Sequence, residues 1–172
     1  EVARDPDEVD RAEHHFIAVD RAERVARTAE LVSSHGPTVV FTRTKHGADR
    51  VARQLGRAGV QASVVHGNRS QGQRERALAE FHSGASDALV ATDVAARGIH
   101  VDDVACVIHF DPPEDPKDYV HRSGRTARAG SSGVVVTMVS PEVASKVKVL
   151  QRSLGFPVGT GDAPVAPDSP VV

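Results

Sequence analysis

The stretch Thr38-Val39-Val40-Phe41-Thr42-Arg43-Thr44-Lys45-His46-Gly47-Ala48-Asp49-Arg50-Val51-Ala52-Arg53-Gln54-Leu55 changes its period halfway along. Thr38–Phe41 is a short, β-branched, apolar run, which reads as a strand buried on both faces. Ala48, Val51, Ala52 and Leu55 then recur at helical spacing and share one face. A strand, a polar turn and a helix in this order make the first part of a β-α-β unit. The same alternation continues outward. Further strands are predicted at His15–Val19, Ala62–Val65, Ala88–Ala91, Ala105–His109 and Val134–Val139. Ala22, Val25, Ala29 and Val32 mark a helix before the opening stretch. Ser70 with Gln73 is a capping box for a helix running to about Phe81. Asp115-Pro116 is an N-cap followed by proline at the first helical position, with Gly130 read as the stop. A last helix, opening at Ser140-Pro141, aligns Val143, Val147, Leu150 and Leu154. The expected fold class is α/β, a three-layer sandwich with a mostly parallel sheet. The domain is expected at 13–154, between an acidic lead-in at 1–12 and a Gly-, Pro- and Asp-rich flexible tail at 155–172.

Composition narrows the class. The chain has 172 residues, 40% hydrophobic and 26% charged, which suits one globular domain. Cys106 is the single cysteine, so no internal disulfide is possible. No apolar run approaches the roughly 18 residues of a membrane span. The N-terminal residues do not read as a signal peptide, and a cytoplasmic location with no membrane partner is expected. The net charge of −2 does not itself point to nucleic acid. The charge is uneven, however. Acids gather in the first thirteen residues, while Arg74, Arg97, Arg122, Arg125 and Arg128 lie in the central motifs, where a local basic face can hold phosphates.

In open α/β sheets ligands sit at the carboxyl ends of the strands. Thr42-Arg43-Thr44, His66-Gly67-Asn68 and Thr92-Asp93 all fall there, although each alone also reads as a loop of turn residues. Ser70-Gln71-Gly72-Gln73-Arg74 opens a helix whose amides and Arg74 can meet a phosphate; the plainer reading is a capping box beside a surface arginine. In Asp118-Tyr119-Val120-His121-Arg122-Ser123-Gly124-Arg125-Thr126-Ala127-Arg128, a helix places Arg125 and Arg128 on one face, with His121 one turn earlier. Two guanidiniums projecting together suit a polyanion, or a solvated basic face. Gly124 costs such a helix about 1 kcal/mol relative to alanine.

Taken together, the segments resemble the second, C-terminal RecA-like domain of DEAD-box ATP-dependent RNA helicases. Val39–Lys45 resembles motif IV. Gln71 and Arg74 resemble the QxxR of motif IVa, Ala91–Ile99 resembles motif V, and His121–Arg128 resembles motif VI, HRxGRxxR. The likeness spans about residues 13 to 154. The wording at 66–72 is most similar to the bacterial RhlE-type branch.

The resemblance implies roles position by position. Arg125 and Arg128 match exposed arginine fingers that reach the γ-phosphate of ATP across a cleft. His121, Arg122, Gly124, Asp93, Arg97 and Gly98 match residues that line that cleft or couple it to RNA. Thr42, Gly67, Gln71, Arg74 and Thr92 match the RNA-binding track. His100 stands where the family usually has an aspartate that contacts the ribose, which removes a charged acceptor. No GxxxxGK[ST] loop, Asp-Glu-Ala-Asp or Ser-Ala-Thr occurs in the chain. The resemblance therefore implies that ATP with Mg²⁺ is bound mainly by a first, N-terminal RecA-like domain of the same protein, and that this chain alone does not hydrolyse ATP. The implied partners are RNA, ATP and that domain. Two other readings stand beside this one: a DNA helicase of the same fold, against which the His121-Arg122-Ser123-Gly124-Arg125 wording argues, and a stand-alone module that binds without catalysis.

Overall fold

The computed structural model describes residues 12–97, 101–126 and 133–165. Six strands are present: β1 (Glu13–Ala18), β2 (Thr38–Phe41), β3 (Ala62–Val65), β4 (Ala88–Ala91), β5 (Cys106–His109) and β6 (Val134–Val139). They form one sheet in the order β1-β6-β5-β2-β4-β3, and every neighbouring pair is parallel. The helices are α1 (Arg24–His35), α2 (Lys45–Arg57), α3 (Gln71–Ser83), α4 (Asp93–Arg97), α5 (Pro116–Ser123) and α6 (Ala144–Leu154). Single 3₁₀ turns, Arg21–Glu23 and Pro141–Val143, lead into α1 and α6.

Alternation along each strand feeds two separate cores. Val39 and Phe41 of β2 join Leu89, Val107 and Val135 beneath Ala77 and Phe81 of α3 and Val147 and Leu150 of α6. Val40 points the other way, with Val90, Ile108 and Val136, against Leu31 and Val32 of α1 and Ala48, Val51 and Leu55 of α2. The central strands β2, β4 and β5 are buried along their whole length, as expected where helices cover both faces. Helix starts are fixed by side chains. Thr44 accepts from the Gly47 amide, the Ser70–Gln73 capping box is closed in both directions, and Asp115 accepts from the Lys117 amide beside Pro116.

Three expectations are revised. The helix through Asp118 does not continue to Arg128: α5 ends at Ser123, with Gly124 as its C-cap. Beyond it the backbone turns to pair with the segment before β5. The Val104 amide donates to the Arg125 carbonyl, and Val104 bridges Thr126, whose hydroxyl donates to the Val104 carbonyl. Those bonds replace the helical ones, so Arg125 does not share a helix face with His121. The start of the compositional tail is also not loose. Phe156 packs against His14, Phe16 and Tyr119, the Gln151 side chain bonds both backbone groups of Gly159, and the Gly161 amide donates to Phe16 of β1. Residues through Gly161 thus cover the β1 edge of the sheet. Finally, α4 was not anticipated, because five residues are too short to show a period. Gly98, His100, Arg128 and Gly130, with 1–11 and 166–172, lie outside the described residues.

Candidate functional site

The segments singled out from sequence gather along the carboxyl edge of the sheet, in two neighbouring groups. The first surrounds Arg122 on α5. Its guanidinium is only 3% exposed and is bound from several sides. Nε and Nη2 donate to the two Asp93 carboxylate oxygens at 2.6 and 2.7 Å, a bidentate pair. Nη1 donates to the Asp111 carbonyl at 2.8 Å and to His109 Nδ1 at 3.2 Å, and the group lies 5.1 Å from the Phe41 ring centre. Because Arg122 can only donate, His109 Nδ1 must accept and its proton sits on Nε2. Burial, reinforced by the positive charge of Arg122, pushes the His109 pKa well below the ordinary histidine value, so this ring is neutral. Arg122 therefore welds α5 to the start of α4 and to the ends of β2 and β5.

Beside it, Arg125 Nη2 donates to the Ala96 carbonyl at 2.8 Å, and Nη1 lies 4.0 Å from Asp102. Its side chain is 18% exposed, so it is folded down on the end of α4, contrary to the expectation of an exposed finger. Arg97 reaches across to Asp118 at 3.3 Å and stays largely exposed. Phe41, Asp93, Arg97, Asp118, His121, Arg122 and Arg125 together border a shallow dent.

The second group occupies the ends of the adjacent strands β2, β4 and β3. The Thr42 amide bonds the Ala91 carbonyl and the Thr92 amide bonds Val65, so the three strand ends are laced together. Thr42 is fully buried, its hydroxyl donating to the Thr44 carbonyl. The exposed groups of that loop are Arg43, Thr44 and Lys45. Thr92 is also buried, whereas Gly67 and Gln71 are exposed. A Cβ at Gly67 would meet nothing, so its backbone is open to approach. Arg74 Nε is buried without a hydrogen-bond partner.

Sequence reasoning found the arginines and missed what holds them. Asp111 accepts from Arg24 and from the Arg43 amide, tying α1 to the 42–44 loop. It stands just past the end of β5, where the strand-end rule could have found it. Asp49, His109 and Asp102 carry no motif signal. Among the described residues no group of three or more His, Cys, Asp or Glu side chains could hold a metal ion, and no helix is long and apolar enough to cross a membrane.

A parallel sheet covered on both faces, with arginine clusters along its carboxyl edge, defines the class of RecA-like helicase domains. Residues 21–130 match the family model of the helicase conserved C-terminal domain, and the chain belongs to that family. Its relatives are DEAD-box proteins. It is 37% identical over 147 residues to the DEAD-box ATP-dependent RNA helicase CshA of Bacillus subtilis, covering 84% of this chain and 30% of that protein. Among solved structures, a DEAD box protein from Methanococcus jannaschii superposes with a TM-score of 0.79 at 32% identity, covering 86% of this chain and 41% of that one. Saccharomyces cerevisiae Dbp5 bound to RNA and ADP BeF3 superposes with a TM-score of 0.74 at 29% identity, covering 84% of this chain and 39% of the other. The chain thus spans well under half the length of these relatives.

Proposed function

We propose that this chain is the C-terminal RecA-like half of a cytoplasmic ATP-dependent RNA helicase that unwinds or remodels RNA duplexes. In this reading the domain comprises residues 13–154, with the packed turn to Gly161 as its edge cover. The group around Arg122 faces a cleft shared with a first RecA-like domain, which holds ATP and Mg²⁺. Arg125 and Arg128 are the arginines that reach the γ-phosphate, with His121, Arg97, Gly98 and His100 along the same rim. Asp93, Arg122 and Gly124 fix that rim to the RNA side. The RNA backbone runs over Gly67, Gln71 and Arg74, with Thr42 and Thr92 shaping the strand ends beneath it. The RhlE-type branch is proposed on the wording of His66–Gly72 alone.

The observation that carries this reading is the bidentate Arg122–Asp93 pair. It joins the two segments most similar to motifs V and VI at a single buried junction. One side of the junction leads through Asp93 to Thr92 and the strand ends proposed for RNA. The other leads through α5 to His121 and Arg125. A displacement of either side must move the other, which is what coupling RNA to ATP requires.

The test is binding of single-stranded oligouridylate to the chain. Phosphate contacts give affinity in the non-specific range of about 10⁻⁴ to 10⁻⁶ M that falls steeply with salt. Arg74→Ala weakens binding and flattens the salt dependence. Binding that is indifferent to salt, or unchanged by Arg74→Ala, removes the proposed track.

A further inference from the structure

His66 is only 3% exposed and uses both ring nitrogens. Nδ1 accepts from the Asn68 amide at 3.1 Å, which places the ring proton on Nε2. Nε2 in turn lies 3.0 Å from both carboxylate oxygens of Asp49 on α2. Asp49 also receives Arg69 Nη2 at 2.9 Å, and Lys45 Nζ reaches Asn68 Oδ1 at 3.2 Å. The loop from Gly67 to Ser70, which delivers the chain into the N-terminus of α3, is thus held from α2 through one buried imidazole and one carboxylate. Burial disfavours charge on Asp49, but the hydrogen bonds from Arg69 and His66 outweigh it and its pKa lies below the ordinary value. The carboxylate stays ionised and keeps its grip on both partners.

We propose that His66 and Asp49 are positioning residues for RNA: they touch no phosphate, and they hold Gly67–Ser70 in the conformation that presents the Gly67 backbone and the start of α3 to the RNA backbone. This inference rests on the RNA-track reading above and extends it to residues that no motif marks. A rigid support lowers the ordering cost of the loop on binding. The sign of the effect separates this role from simple electrostatics. Removing an acid near a polyanion site strengthens binding if charge alone matters. Removing a positioning acid weakens it.

The experiment titrates single-stranded oligouridylate into the 172-residue chain at several salt concentrations, with melting followed on each variant. Asp49→Ala weakens binding roughly five-fold, the worth of one net hydrogen bond. The slope of log affinity against log salt is unchanged, because no phosphate contact is lost. Arg74→Ala, which removes a contact, lowers that slope by about 0.7. Asp49→Asn keeps an acceptor for His66 Nε2 and restores binding to within about two-fold of the parent. His66→Gln keeps a donor toward Asp49 but loses the Nδ1 acceptor, and weakens binding while its melting temperature stays close to that of Asp49→Asn. Tighter binding by Asp49→Ala, or parental binding by both Asp49→Ala and His66→Gln while Arg74→Ala is impaired, overturns the positioning role alone. Parental binding by Arg74→Ala overturns the RNA track and this inference with it.

Discussion

Arg122 and Arg125 stand three positions apart and play opposite parts. Arg122 satisfies Asp93, the Asp111 carbonyl and His109 at once, so Arg122→Ala leaves several buried acceptors without a donor. Loss of one partner from a buried pair costs about 3 kcal/mol or more, and the partial exposure of Asp93 keeps the value near that lower end. Urea unfolding of Arg122→Ala should show that loss, whereas Arg125→Ala, which gives up one bond to a carbonyl, costs about 1 kcal/mol. Equal stabilities for the two variants would deny Arg122 its structural role. His109 gives a pH signature. Its folded pKa is depressed, so between that value and about 6.5 the unfolded chain binds a proton that the folded chain refuses. Stability from this group is complete above about pH 6.5 and is lost as pH falls below it, by at most about 1.4 kcal/mol per unit. His109→Asn keeps an acceptor for Arg122 and cannot titrate. Unfolding at pH 7 and pH 5 should show a smaller loss for this variant than for the parent; identical losses would mean that His109 takes up its proton without resistance.

At the scale of elements, α3 opens on a box closed in both directions, Ser70 to the Gln73 amide and Gln73 to the Ser70 amide. Ser70→Ala should cost about 1 kcal/mol by urea unfolding, and a change within error would show that water replaces the cap freely. This box was legible in the sequence, as were the bounds of β2, β3, β4 and β6, because patterns of this kind are local. A β-branched run bounded by polar residues, or a capping residue at fixed spacing, needs no knowledge of the rest of the chain. What was misread depends on distant partners. Helical spacing in motif VI suggested a helix through Arg128, but Val104 captures the backbone at Arg125 and Thr126. Strand β1 begins two residues before its predicted start because Glu13 pairs with Val134 across the sheet edge. In the site, the arginines were visible and their orientation was not. Whether a guanidinium is a buried tie, as in Arg122, or lies folded on a carbonyl, as in Arg125, is decided by strand ends brought together only by the fold.

At the scale of the molecule, the sheet order places the two proposed activities side by side. Strands β2, β4 and β3 end at the RNA group, and β5 and β2 end at the group around Arg122, so β2 serves both. The Arg122–Asp93 junction lies between them, short enough to carry a displacement from one to the other. Arg125 lies folded against Ala96 beside Asp102, and reaching a phosphate across a cleft requires it to leave that carbonyl. The account therefore treats Arg125 as a group released when the first domain closes. The most direct test is RNA-stimulated ATP turnover by the protein carrying its first RecA-like domain, with Arg125 intact and with Arg125→Ala. The account predicts a loss on the order of 10³- to 10⁵-fold in kcat, the worth of an arginine finger, in a variant that remains folded; near-parental turnover by Arg125→Ala would contradict it.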